Sequence, residues 1–306
     1  MKKRFLIPLM AVSLVLAVTV LSAAATPDIT TDVHHIAVKN HNTILISIDG
    51  LTRDTFYALL QKGKLPNIQQ IVARGNYRNM DITGHDSETL PCYAELFTGY
   101  YQDLLNQSGA LAVPVSGNIL LFKRLKDTIP DMTIKVILTE PENLDAPVRI
   151  STLFNQETID AFVPYAERRR STTQVGNLLI KAIEESKPPY FLFANFTEVE
   201  LMGHQYRQGG EAYSEAVQNA DLQIQRMITL LKTKKEWENT DIILTTNYGF
   251  KPNSKEHSTV TQSWIAASFA IHYKGSLSSI VPTIYKRYKI DWYGFNPGFP
   301  GELLIY

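Results

Sequence analysis

The sequence predicts an α/β fold, a three-layer α/β/α sandwich around a mainly parallel central sheet. Three observations carry this. Short apolar, β-branched runs recur at Thr43–Ile48, Thr133–Leu138, Tyr190–Phe196 and Thr240–Thr246, too continuous for strands with one wet face. Segments of helical spacing alternate with them, the arrangement that covers both faces of a parallel sheet. Polar, chemistry-bearing residues gather where strands end, the edge at which open α/β sheets bind ligands.

The chain of 306 residues, 44% hydrophobic, is long enough for one substantial core. With 30 basic and 30 acidic residues, net charge gives no ground for a nucleic-acid polymer or an anionic membrane as partner. The single cysteine, Cys92, excludes an intrachain disulfide framework and a cysteine-based zinc cluster. Lys2-Lys3-Arg4, the apolar run Phe5–Leu21 and the small residues Ser22–Ala25 read as a signal peptide cut after Ala25. The run is also close to the length of a membrane anchor, but the alanines favour cleavage. The expectation is therefore a periplasmic or secreted protein, free of the membrane after cleavage. A single α/β domain is expected over 33–306, with an irregular insertion at 139–170.

Taken in order, the first strand ends in Asp49-Gly50 and runs into a helical pattern with Leu51, Phe56, Leu59 and Leu60 on one face. Asp49 is either the N-cap of that helix or a ligand at the sheet edge. Pro66 and Gly75 frame a short helix, and Tyr77–Thr83 reads as a strand. Pro91 and Gly99 frame another helix with Thr89 at its N-terminus, where free N–H groups favour an anionic phosphate. A Thr hydroxyl there is a cap or a nucleophile. A helix follows at Ile119–Leu125. The segment Thr139–Arg170 is irregular, and its Arg168-Arg169-Arg170 run is either a contact for an anionic substrate or, the commoner case, solvated surface.

An amphipathic helix spans Thr172–Ser186 and stops at Pro188-Pro189. After the strand Tyr190–Phe196, Glu200 and His204 stand on an expected loop, four residues apart. Glutamate oxygen and histidine nitrogen are ordinary zinc ligands, so the two can converge on one cation. A core helix is expected at about Glu211–Lys235. The strand Thr240–Thr246 ends in Asn247-Tyr248-Gly249-Phe250, and a polar loop carries His257. A strand over Ala266–Tyr273 and a helix over Ser279–Tyr288 precede a Gly/Pro-rich tail at Asn296–Gly301.

The order of these pieces resembles the alkaline phosphatase superfamily, in particular its type I phosphodiesterase/nucleotide pyrophosphatase branch. Asp49-Gly50 resembles the first metal aspartate, Pro66-Asn67…Gly75 the helix after it, and Thr89-Leu90-Pro91…Thr98-Gly99 the nucleophile segment. Glu200-Leu201-Met202-Gly203-His204 resembles the Asp-x-x-Gly-His metal motif with Glu for Asp. Asn247-Tyr248-Gly249 stands where the family has Asp-His-Gly, His257 where the last metal histidine falls, and Pro282-Thr283-Ile284 resembles the closing helix.

The resemblance implies Thr89 as nucleophile and two divalent ions, zinc by preference, about 4 Å apart. Glu200, His204 and His257 would hold one ion; Asp49, Thr89, Asn247 and Tyr248 would hold the other. Asn247 and Tyr248 replace Asp and His, so this second site has lost a negative charge and an imidazole. One or two ions are thus in play, with reduced activity. The implied substrate is a small-molecule, glycan-linked or lipid-linked phosphoester. The alternative is a non-catalytic relative serving as a binding module. A sulfatase is discounted because those enzymes derive their nucleophile from Cys or Ser, and Thr89 stands here.

Overall fold

The computed structural model describes residues 41–82, 87–101, 119–139, 158–163, 171–257, 260–295 and 298–306. The expected signal segment, with its cleavage point after Ala25, lies outside them, as does most of the 139–170 segment. Among the described residues, no helix is long and apolar enough to cross a membrane.

The described strands are β1 (Asn42–Ile48), β2 (Asn76–Asp81), β3 (Thr133–Ile137), β4 (Ala161–Val163), β5 (Tyr190–Phe196), β6 (Thr240–Thr245), β7 (Gln262–Ala267) and β8 (Gly275–Ser276). They form one sheet in the order β4-β3-β5-β1-β6-β7-β2-β8. The run from β4 to β6 is parallel, and only β7 runs against its neighbours β6 and β2. The expected mainly parallel α/β sheet is therefore present.

Side chains alternate along each central strand, and that period of two sorts the core into two layers. Leu45, Phe191, Phe193, Ile243 and Ile265 face one layer. Helices α3 (Thr89–Thr98), α4 (Leu121–Thr128) and α8 (Ile280–Arg287) supply its other side. Ile44, Ile46, Leu192, Ala194, Ile242 and Leu244 face the opposite layer. That layer is closed by α1 (Arg53–Gln61), α2 (Pro66–Arg74), α5 (Thr172–Glu185) and the long α7 (Glu211–Thr233). Between β5 and α7 lies α6 (Glu198–Tyr206).

Two sequence expectations need correction, and one of the two readings of Asp49 falls. Glu198–Tyr206 is helical rather than a loop, so Glu200 and His204 share a helix face at i, i+4 spacing. The strand expected at Ala266–Tyr273 lies earlier, at Gln262–Ala267; at Ser268 the N–H still donates to Ile242 O at 2.9 Å, but the hydroxyl replaces the carbonyl as acceptor from Ile242 N, also at 2.9 Å, and the ladder ends there. Asp49 does not cap α1; Thr52 does, its hydroxyl accepting from Thr55 N at 3.3 Å.

Candidate functional site

The site lies at the carboxyl ends of β1, β5 and β6, where backbone bonds bring the three termini together. Asp49 N donates to Phe196 O at 2.9 Å, and Gly50 N donates to the side-chain oxygen of Asn247 at 3.2 Å. Gly50 has φ +76°, in the left-handed region that glycine tolerates. Tyr213, from α7, fixes this turn by donating to Gly50 O at 2.6 Å and accepting from Thr52 N at 3.0 Å.

Glu200, His204 and His257 bring three ligand atoms within 4.8 Å of one another. Glu200 Oε1 and His204 Nε2 are 3.7 Å apart, close to the roughly 3.4 Å edge of a tetrahedron with zinc-length bonds. Each imidazole is oriented from behind. His204 Nδ1 lies 2.9 Å from Lys255 O, and His257 Nδ1 lies 2.7 Å from Ser87 O. A carbonyl only accepts, so each Nδ1 points its proton at the backbone and Nε2 is the ring nitrogen left for a cation, the orientation that metal-binding histidines use. Glu200 is buried, His257 half-buried and His204 exposed, which leaves one side of the trio open to solvent. The donor set, two imidazoles and a carboxylate, fits a divalent ion such as zinc.

Phe250 backs this trio. Its ring stands edge-on to His204 at 5.0 Å and to His257 at 5.9 Å. Gly203 admits it, since a Cβ there would lie 2.4 Å from Phe250 Cε2.

Thr89 is the first residue of α3. Glu88 is the N-cap and makes no side-chain cap bond. The Thr89 hydroxyl lies 3.1 Å from the hydroxyl of Tyr248. Tyr248 donates its proton to Glu200 Oε1, so Thr89 donates to the Tyr248 oxygen. Burial first, then the Glu200 carboxylate, raises the Tyr248 phenol far above its ordinary range, so it is neutral. Its ring stacks on His257 at 4.4 Å with a 17° interplanar angle.

Asp49 is wholly buried and accepts from three side chains. Ser47 donates to Oδ1; Tyr93 OH at 2.5 Å and Asn195 Nδ2 at 3.2 Å donate to Oδ2. Burial, then the neighbouring Glu200 charge, pushes its carboxyl up to about 7 against the lowering effect of those donors. Asn247 is also buried, and its oxygen accepts from Gly50 N and, at 2.7 Å, from Tyr248 N.

The structure thus brings Glu200, His204 and His257 together, and joins Thr89 to them through Tyr248. It places Asp49 and Asn247 nearby with their oxygens engaged by protein donors. Sequence reasoning missed Ser47, Tyr93 and Asn195. Signals for them existed: Ser47 and Asn195 are polar residues at the inward period of otherwise apolar strands, and Tyr93 is one helical turn from Thr89.

The parallel sheet sandwiched by helices, with a ligand cluster at its carboxyl edge, is the architecture of the alkaline phosphatase superfamily. The sequence pattern of the type I phosphodiesterase / nucleotide pyrophosphatase family matches residues 125–291, over half the chain. The chain belongs to that family of hydrolases. The match contains Glu200, His204, Asn247, Tyr248 and His257, and begins after Asp49 and Thr89.

Solved structures share the fold at low identity. A lipoteichoic acid synthase from Listeria monocytogenes is 13% identical, with TM-score 0.61 over 88% of this chain and 75% of its own. An alkaline phosphatase superfamily protein from Vibrio parahaemolyticus is 15% identical, with TM-score 0.60 over 83% of this chain and 67% of its own. A phosphonate monoester hydrolase of Agrobacterium radiobacter is 15% identical, with TM-score 0.55 over 81% and 74%. No curated protein sequence matches the chain.

Proposed function

We propose that the chain is an exported hydrolase of phosphoric esters, diesters in preference to monoesters, with Thr89 as nucleophile and one divalent cation, zinc, at Glu200, His204 and His257. The observation that carries this is the convergence of those three side chains, both imidazoles oriented by backbone carbonyls, beside the N-terminus of α3. A bound cation supplies charge stabilisation to the phosphoryl oxygens. The first-turn N–H groups of Thr89 and Leu90 precede Pro91 and lie outside the helical ladder, so they suit an anionic ester oxygen. Because Thr89 spends its proton on Tyr248, its oxygen lone pairs remain for attack on phosphorus. The Thr89 Oγ1–P bond forms as the P–O bond to the leaving group breaks; the Thr89 proton passes to Tyr248 while Tyr248 hands its own to Glu200 Oε1, the leaving oxygen takes a proton from solvent, and water later cleaves the Oγ1–P bond to restore Thr89. The substrate is a small-molecule, glycan-linked or lipid-linked phosphoester.

Zinc analysis paired with hydrolysis of aryl phosphomonoesters, phosphodiesters and sulfates tests this. Thr89→Ala is expected to abolish turnover while the protein stays folded, since its hydroxyl makes no cap bond. Full activity in that variant excludes a threonyl intermediate. Export is checked by intact mass: exported protein still carrying Phe5–Leu21 refutes cleavage after Ala25. A second reading, a non-catalytic binding module, is favoured by the engagement of Asp49 and Asn247 with protein donors. Zinc bound without turnover of any of the three ester classes selects it.

A further inference from the structure

We propose that the place a second cation would take is filled by the Tyr248 phenol and closed by hydrogen bonds, so that this chain holds a single divalent ion. The proposal rests on the reading of Glu200, His204 and His257 as the first site.

Four residues would have to hold the second ion, and three are committed elsewhere. The Asp49 carboxylate is enclosed by Ser47, Tyr93 and Asn195, whose hydrogens point at its oxygens. A cation approaching it would meet those hydrogens, and the donors cannot simply turn round. Asn195 Oδ1 accepts from Thr139 N and Thr139 Oγ1, each at 2.8 Å, which fixes its amide with Nδ2 toward Asp49. The same Nδ2 donates to Tyr93 OH at 2.7 Å, so the Tyr93 proton is directed to Asp49. Direction is therefore set along the whole chain from Thr139 to Asp49.

Asn247 is turned the wrong way for a ligand. Its oxygen accepts from two backbone N–H groups, Gly50 and Tyr248. What remains is its Nδ2, a buried donor with no hydrogen-bond partner among the described residues. A donor amide repels a cation, and rotating it would strip both backbone donors of their acceptor.

Tyr248 completes the closure. Its hydroxyl joins Glu200 to Thr89, and its ring lies flat on His257. A cation bound beside Thr89 would need the phenol to leave both hydrogen bonds and the stack. The arrangement puts a neutral hydroxyl where the family relies on a second positive charge.

The test is zinc per folded chain, measured by elemental analysis after equilibration with zinc and removal of the excess, for wild type, Tyr248→Phe, Asp49→Asn and His204→Ala. One zinc is expected in wild type, and still one in Tyr248→Phe and Asp49→Asn, because neither side chain is a ligand. His204→Ala is expected to lose more than about a hundredfold in zinc affinity, beyond the 10–100-fold cost of removing an outer-shell partner. Two zinc ions in wild type overturn the proposal and leave the first site standing. So does loss of a zinc in Asp49→Asn, or in Tyr248→Phe at saturating zinc, where the lost hydrogen bond to Glu200 costs no more than about 10–100-fold in affinity; Tyr248→Phe keeps the ring should Asp49→Asn not fold. No zinc in wild type, or undiminished zinc in His204→Ala, overturns the first-site reading and this proposal with it.

Discussion

Replacing Gly50 by alanine perturbs the fold and the candidate metal site through one methyl group. At φ +76° the residue sits in left-handed backbone, which costs an L-residue about 1–2 kcal/mol. The new Cβ would lie 2.7 Å from Glu200 Cα, 2.8 Å from Glu200 Cβ and 2.9 Å from Phe250 Cε2. Backbone cannot rotate away as a side chain can, so α6 has to shift, and overpacking of this kind costs about 1–3 kcal/mol. The expected loss is about 2–5 kcal/mol in urea unfolding, with weaker zinc binding because the displaced Glu200 is a proposed ligand. Gly63→Ala provides the control: φ is +66°, but no described atom lies within 4 Å of its added Cβ. It pays the backbone term alone and leaves zinc affinity unchanged. If Gly50→Ala is no less stable than Gly63→Ala and binds zinc as wild type does, the close approach of the β1–α1 turn to α6 is wrong.

Two further perturbations test how the sheet and its helices are held. Asp241, buried at the start of β6, accepts from Arg287 Nε at 2.7 Å, Arg287 Nη2 at 2.8 Å and His41 Nε2 at 2.7 Å. Burial pushes its carboxyl up, but His41 and Arg287 together hold it below the ordinary range. A depressed carboxyl contributes stability above its unfolded pKa of about 3.9, and that contribution disappears as pH falls through the lower folded value. Arg287→Ala is therefore expected to cost about 2–4 kcal/mol at pH 7 and less at pH 3, read from urea midpoints at the two pH values. An equal loss at both would refute the ion-pair account. On α7, Asp221 accepts from Asn67 N at 3.2 Å, Ile68 N at 2.8 Å and Asn67 Nδ2 at 2.7 Å, capping α2 from a neighbouring helix. Asp221→Ala is expected to cost about 2 kcal/mol in the same assay, and a change below about 0.5 kcal/mol would refute that role.

The buried strands were legible because burial on both faces leaves a continuous apolar run, and β1, β3, β5 and β6 fall within a residue of where those runs lie. The helix carrying Glu200 and His204 was less so, since Gly203 reads as a loop residue until Phe250 is seen packed against it. The residue types of the candidate metal trio were visible in the sequence, but their orientation was not. The acceptors that turn both imidazoles are backbone carbonyls of Lys255 and Ser87, and every residue has a carbonyl. The pairing of Thr89 with Tyr248 was also hidden, because it depends on two segments 159 residues apart meeting at one edge.

The two halves of this sheet edge are held by different means, and that difference has a thermodynamic consequence. Around Asp49, the links Thr139–Asn195, Asn195–Tyr93, Tyr93–Asp49 and Ser47–Asp49 tie β3, β5, α3 and β1 together without an ion. Around Glu200, both imidazoles are turned by backbone carbonyls toward the proposed cation, so an ion bound there would add its binding energy. An ion bound only by the folded state stabilises it by RT ln(1 + [Zn]/Kd), which is about 1.4 kcal/mol per tenfold rise in free zinc above Kd for one site. Two independent sites would double that slope to about 2.7 kcal/mol. Unfolding free energy measured against buffered free zinc is therefore expected to rise along the single-site line. In His204→Ala it should lie flat over the same range. A wild-type slope near the two-ion value would mean that the hydrogen bonds around Asp49 open to admit a second cation, and a flat wild-type line would mean that Glu200, His204 and His257 hold none.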